Sequence, residues 1–375
     1  MPYDEGKTAT VERLGPAPGV KGILSTVGGT PLIELERLVP GFTSRVYAKA
    51  ERFNPGGSIK DRSALGMVLG RIRSGDLVPG RSTVVESSSG NLAIGLAQIC
   101  GYFGLRLICV VDARTTEQNI AILRAYGAEV EVVTQPDPRT GELLPQRLRR
   151  VRELLDRIPH AYCPDQYSNP LNTLAHETTM REIAEALNGE VDHLVLTVGT
   201  TGTLSGCAEY IRKAGLRTTI HAVDAVGSRL FESPVSCSRL IPGHGASVVP
   251  ALLDRSDADD VLHVTDMECV VGCRRLVRRE AILAGGSSGA VVSALERLAP
   301  AIRPGSNVVL VLPDGGDRYL DTIYDDTWVR ANFGEIFHLW KEPERGPGAP
   351  RHAGPWTPRL SDDLVKNTKK ETVLC

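Results

Sequence analysis

The chain has 375 residues, of which 42% are hydrophobic and 23% charged, with a formal net charge of −2. That length accommodates two domains with sizeable cores, and the near-neutral charge leaves neither a basic face for nucleic acid nor a polybasic membrane anchor. No apolar run reaches the roughly 18 residues of a membrane span, and the opening "MPYDEGKTATVERLG" lacks a signal-peptide core, so a cytoplasmic protein is expected.

Taken in chain order, short apolar runs rich in β-branched residues alternate with amphipathic stretches. "RVYAKA" (45–50) reads as a strand and "DRSALGMVLGRIRSG" (61–75) as a helix. The strands "STVVES" (82–87), "LRLICVVDA" (105–113) and "EVEVV" (129–133) each precede a helix: "NLAIGLAQICGYFG" (91–104), "EQNIAILRAYGAE" (117–129) and "PQRLRRVRELLDRI" (145–158). After the helix "NTLAHETTMREIAEAL" (172–187) come the strand "DHLVLTVG" (192–199) and the helix "GTLSGCAEYIRKAG" (202–215). The strands "TTIHAVDA" (218–225) and "DVLHVTD" (260–266) lead to two helices, "MECVVGCRRLVRREAILAG" (267–285) and "SGAVVSALERLAPAI" (288–302). "NVVLVLPDGG" (307–316) is the closing strand. Near-continuous apolar strands alternating with helices imply an α/β protein whose mostly parallel sheets are covered on both faces.

The stretches "PDPRTGELLP" (136–145) and "CPDQYSNP" (163–170) mark domain crossings. The expected division is a large domain of residues 1–48 plus 163–330 and a smaller mobile domain of residues 49–162. Residues 331–375 form an expected flexible extension, because the Pro/Gly/Arg-rich 342–361 and the charged "KNTKKETVLC" bury little apolar surface. The eight cysteines are scattered; Cys269 and Cys273 stand at helical i, i+4 spacing without a second ligand pair, which argues against zinc. They are expected to be small apolar residues of a reducing compartment.

Five loops at helix starts carry the chemistry. "NPGGSIKDR" (54–62) places Gly56 and Gly57 before a helix whose first turn holds Lys60. An ammonium is disfavoured at that positive end, so a lysine kept near neutrality, the nucleophilic form, suits the position. "ESSSGNLAIG" (86–95) offers serine hydroxyls and the Asn91 amide to a carboxylate, with a plain serine cap as the alternative. "VGTTGTLSG" (198–206) makes a nest of backbone N–H groups and threonine hydroxyls suited to a phosphate, or a tight unliganded turn; it lacks the lysine of a nucleotide-binding P-loop. "AGGSSGAVV" (284–292) presents Ser287 or Ser288, or merely caps a helix. "DQYSNPLN" (165–172) crowds Gln166, Tyr167 and Asn169 into a turn that Asn–Pro chemistry alone would also explain.

This ordered set, from "VGGTPLIEL" at 27 to "DGGDRYLDTIY" at 324, resembles the fold-type II pyridoxal-phosphate enzymes of the cysteine synthase and cystathionine β-synthase superfamily. The resemblance implies a tryptophan synthase β-like fold, a homodimer, and pyridoxal 5′-phosphate (PLP) held through an imine to Lys60. It implies Asn91 at the cofactor's 3-oxygen, Gly199, Thr200, Thr201, Gly202 and Thr203 around its phosphate, and Ser287 facing its ring nitrogen. Ser88, Ser89 and Gln166, with Tyr167 beside them, would receive the substrate. A neutral serine at the ring nitrogen leaves a weaker electron sink, which favours β-elimination and addition of a nucleophile over transamination.

Departures narrow the branch. The chain reads "SSSGNLA" with Leu92 where cysteine synthases place a threonine, and "IPGHGAS" (241–247) where they carry a glycine-rich "GIGAG". These variants resemble enzymes that join O-phospho-L-serine and L-glutamate into N-(2-amino-2-carboxyethyl)-L-glutamate, a precursor of L-2,3-diaminopropionate in siderophores and peptide antibiotics. A cysteine synthase using sulfide is the alternative, and a non-catalytic binding paralogue the remote one. A phosphate leaving group calls for an arginine fork, expected at Arg147, the arginine nearest the start of its helix.

Overall fold

The structure, a computed structural model, describes residues 21–341 apart from 140, 232, 234–236 and 238. A short strand, β1 (Leu32–Glu34), pairs antiparallel with β2 (Arg45–Ala50), and α1 (Lys60–Arg73) follows. Next come β3 (Thr83–Glu86), α2 (Asn91–Phe103), β4 (Arg106–Asp112), α3 (Glu117–Ala125), β5 (Glu129–Val133), α4 (Leu144–Arg157) and β6 (Ala161–Tyr162). The remainder is α5 (Pro170–Ala186), β7 (His193–Thr197), α6 (Gly202–Ala214), β8 (Thr219–Ala225), β9 (Asp260–Val264), α7 (Asp266–Glu280), α8 (Gly286–Leu298), β10 (Asn307–Leu312) and α9 (Asp326–Phe333).

The strands form two sheets. One is four-stranded and parallel, in the order β5-β4-β3-β6; the other is six-stranded, in the order β1-β2-β10-β7-β8-β9, with β1 its antiparallel edge. Alternation along the strands buries both faces, as parallel sheets require. In the smaller sheet Val84, Leu107, Cys109 and Val111 pack with α1 and α2, while Val85, Ile108 and Val110 pack on Val151 and Leu154 of α4. In the larger sheet Val195, Val223, Val308 and Leu310 face α7 and α8, and Leu194, Leu196, Ala222 and Val309 face α5 and α6. Helices α7 and α8 cross at Gly272 and Gly289, where a Cβ would come within 2.1 and 1.9 Å of the opposite backbone. Only glycine permits that approach.

Several boundaries differ from the sequence reading. The helix expected over 267–285 stops at Glu280, since Ala281 turns left-handed (φ +57°) and Ala284 then bridges Gly315. The expected extension from 331 begins inside α9, and its first residues belong to the core. Phe337 and Trp340 are buried, and the Arg275 guanidinium donates to the Leu339 carbonyl. Residues 342–375 lie outside the described residues.

The start of α1 is held by a buried charge cluster. The Arg62 guanidinium donates to both Glu51 oxygens (2.7 and 2.9 Å) and both Glu182 oxygens (2.7 Å each). Lys49 Nζ donates to Glu182 at 2.7 Å and to the Thr30 carbonyl. Two cations face two carboxylates. Burial pushes Glu182 up, but the bond from Arg62 and the nearby positive charges outweigh it and hold the acid at about 2. Removing one member of such a cluster leaves uncompensated buried charge, at a cost of about 3–5 kcal/mol. Arg62→Ala should therefore lower the unfolding free energy by about that amount in denaturant titration of the full chain. A loss below about 1 kcal/mol would mean that water already compensates the pair.

Candidate active site

Ligands bind open α/β sheets at the carboxyl ends of the strands. Here those ends, from both sheets, surround a cavity of about 560 Å³. Every residue expected at the site lines it except Gly202 and Arg147.

Lys60 owes its place to the preceding turn and to β10. Gly57 adopts φ +86°, open to glycine, and a Cβ on Gly56 would come within 2.5 Å of Asp61 Oδ1. Ile59 N donates to the Pro313 carbonyl at 2.8 Å, and Ser58 bridges Asp314. Ser58 stands one residue outside the cap position, which Ile59 occupies; its Oγ accepts from Lys60 N at 3.2 Å. Burial pushes the Lys60 ammonium down to about 8, against the pull of the Asp314 carboxylate.

Asp314 organises a group that sequence reasoning missed. Its Oδ2 accepts from Asn91 Nδ2 at 2.9 Å and from the Tyr319 hydroxyl at 2.7 Å, while Arg318 donates to Asn91 Oδ1. Burial raises the Asp314 carboxyl, opposed by Asn91, Tyr319, Arg318 and Lys60. The only sequence signal was a polar "PDGGDRY" following a buried strand.

On the larger sheet the nest after β7 opens α6. Thr201 takes φ +65°, and its Oγ1 is buried without a partner. Gly202 turns away from the cavity, where a Cβ would meet the Asn172 amide at 2.5 Å. Between the two candidate serines, Ser287 lines the cavity and Ser288 is wholly buried behind it. His244 was also unforeseen. Its Nε2 lies 3.6 Å from Cys269 Sγ, its Nδ1 is buried without a partner, and burial pushes it down to about 4.

On the smaller sheet Glu86 ties two loops together, accepting from Ser87 N at 2.8 Å and Asp165 N at 3.2 Å; burial raises it to about 7. Arg147 departs from its expected place on the wall. Its fork lies behind the serine loop, donating to Asp112 Oδ2 at 2.6 Å, Ser87 Oγ at 3.0 Å and the Ser87 carbonyl at 3.2 Å.

A lysine of lowered basicity, an uncapped helix start with an unpartnered buried hydroxyl, and a serine at a second helix start suit a phosphorylated aldehyde cofactor. Residues 23–314 match the family of pyridoxal-phosphate dependent enzymes, and the chain belongs to it. It is 49% identical to an N-(2-amino-2-carboxyethyl)-L-glutamate synthase of Ralstonia nicotianae, over 82% of this chain and 91% of that one. Among solved structures it is similar to O-ureido-L-serine synthase (TM-score 0.75, 33% identity, 83% of this chain and 99% of that one). It is likewise similar to a hydrogen sulfide-producing enzyme from Fusobacterium nucleatum (TM-score 0.75, 31% identity, 80% and 98% coverage). The protein is thus a PLP-dependent enzyme of the fold-type II architecture.

The neutral fraction of Lys60 rises about tenfold per pH unit up to its pKa. The rate at which the apoenzyme takes up PLP, followed by absorbance, should climb with pH and level off near 8. Asp314→Asn removes the charge that stabilises the ammonium, so its plateau should begin at lower pH. A plateau unmoved by that change would dissociate Asp314 from Lys60.

Proposed function

We propose that the enzyme catalyses β-replacement, joining O-phospho-L-serine to L-glutamate to give N-(2-amino-2-carboxyethyl)-L-glutamate and phosphate. The observation that carries this reading is the convergence of Lys60, the serine loop and the nest at α6 on one cavity, in a chain 49% identical to a synthase of that name. PLP, when bound, supplies the electron sink for negative charge at the substrate Cα.

The residues then take distinct roles. Thr200, Thr201, Thr203 and the backbone N–H groups of Gly199 and Gly202 hold the cofactor phosphate; Ser287 faces the ring nitrogen and Asn91 the 3-oxygen. Ser88, Ser89 and Gln166 hold the donor's carboxylate beside Tyr167. Lys60 Nζ takes the Cα proton and later returns it to the product. Once the Cα proton has left, the Cβ–O bond to phosphate breaks; the neutral acceptor amine then forms the new bond at Cβ, and Lys60 returns the proton to Cα. Arg147, directly behind the serine loop, favours the doubly charged phosphate over an acetate leaving group. The four-stranded unit, within residues 49–162, serves as the smaller mobile domain. A cytoplasmic homodimer making a precursor of diaminopropionate for siderophore or peptide-antibiotic assembly completes the proposal; among the described residues no helix is long and apolar enough to cross a membrane.

The second reading is a cysteine synthase that adds sulfide to the same donor; the similar hydrogen sulfide-producing enzyme is named for releasing that species rather than taking it up. PLP-loaded enzyme given phosphoserine should release phosphate faster with glutamate than with sulfide and yield the glutamate adduct by mass spectrometry. Lys60→Ala should lose the borohydride-sensitive yellow colour and form no adduct. Faster turnover with sulfide would make the enzyme a cysteine synthase. Separately, Arg147→Ala should weaken phosphoserine use far more than O-acetylserine use. Equal loss with both donors would reduce Arg147 to holding the serine loop in place.

A further inference from the structure

The donor and cofactor groups have receivers in the proposed reaction, but the acceptor brings two carboxylates of its own. The charged side chains on the cavity wall are Lys60, Arg114, Arg318 and Asp321. Arg318 is engaged by Asn91 and lies in the field of Asp314, so its charge is already met. Arg114 differs. It is exposed at the rim, on the loop between β4 and α3, and its guanidinium has no carboxylate partner among the described residues. The nearest acid in sequence, Asp112, accepts from the Arg114 backbone N–H through Oδ1, but its Oδ2 is taken by Arg147.

Two neighbours on the same wall carry buried polar atoms without partners, Thr115 Oγ1 and Asn119 Oδ1. The Thr115 hydroxyl can donate to an anion. Asn119 Oδ1 can accept from Arg114 or from an incoming amine, while Asn119 Nδ2 donates to the Ser89 carbonyl at 3.0 Å and so ties this loop to the serine loop. A planar guanidinium beside a free hydroxyl is a receiver for a carboxylate.

We infer that Arg114, with Thr115 beside it, binds the side-chain carboxylate of the acceptor amino acid and so selects a dicarboxylic amine as nucleophile. The amine must reach the reacting carbon near Lys60, which leaves the far carboxylate to meet the rim. This inference rests on the β-replacement reading and specifies the acceptor that the same cavity takes.

The test compares L-glutamate with L-glutamine, its uncharged isostere, as acceptors for the PLP-loaded full chain with phosphoserine saturating. The readout is the ratio of the two kcat/KM values, which does not depend on the fraction of enzyme that is active. Wild type should prefer glutamate, and Arg114→Gln should cut that ratio about tenfold or more, mainly through KM for glutamate, with Arg114→Lys in between. A wild type that uses glutamate and whose Arg114→Gln variant keeps the ratio overturns the inference alone. A wild type that accepts sulfide and not glutamate overturns the reaction itself, and the inference with it.

Discussion

The buried clamp of Arg62 on Glu51 and Glu182 is the constraint from which the site follows. It joins three places distant in the chain: the end of β2, the first turn of α1 and the body of α5. Buried ion pairs are weak sources of stability, because desolvation offsets attraction, but they are demanding about geometry. Arg62 stands two residues past Lys60, so fixing its fork fixes the first turn of α1. The bridge of Ser58 to Asp314 pins the same turn to β10 from the other side. The turn so held keeps Lys60 on the cavity wall, where burial lowers its basicity.

The electrostatics of the cavity follow from that placement. The first turn of a helix disfavours the Lys60 ammonium while Asp314 favours it, and burial outweighs Asp314, lowering the group to about 8. Asp314 is itself restrained by Asn91, Tyr319 and Arg318, so the charge facing Lys60 stays in place without pairing directly with the amine. The nest before α6 carries partial positive charge with no side chain capping it. Lys60 thus faces this uncapped helix start across one cavity, an arrangement suited to a phosphate-anchored aldehyde.

Much of this was legible in the sequence, because loops joining strand to helix carry their chemistry in consecutive residues. Lys60, Asn91, the 199–203 nest and Ser287 each sit in a contiguous motif, and the strands flanking them are long enough to show their apolar pattern. What stayed hidden depends on distance or brevity. β1 and β6 span three and two residues, too short for any periodicity. Arg62 and Glu182 are 120 positions apart, and Asn91 and Asp314 are 223 apart, so nothing local pairs them. Arg147 was read correctly as part of an amphipathic helix. Which way its fork points depends on Asp112 and Ser87, which lie on other strands' ends.

That last group explains how loops on one sheet are kept in register with each other. Glu86 and Arg147 both lie beneath the serine loop, and each binds Ser87, one at its N–H and the other at its carbonyl and hydroxyl. Glu86 reaches on to the 165–170 turn and Arg147 to the end of β4, while Asn119 holds Ser89 from α3. The loops following β3, β4 and β6 therefore form one hydrogen-bonded unit, and a shift in any of them must carry the others. The nest on the opposite sheet is tied to this unit through Asn172, whose Nδ2 donates to the Gln166 carbonyl at 2.8 Å and to Thr200 Oγ1 at 3.2 Å, so the 165–170 turn and the start of α6 keep their spacing together.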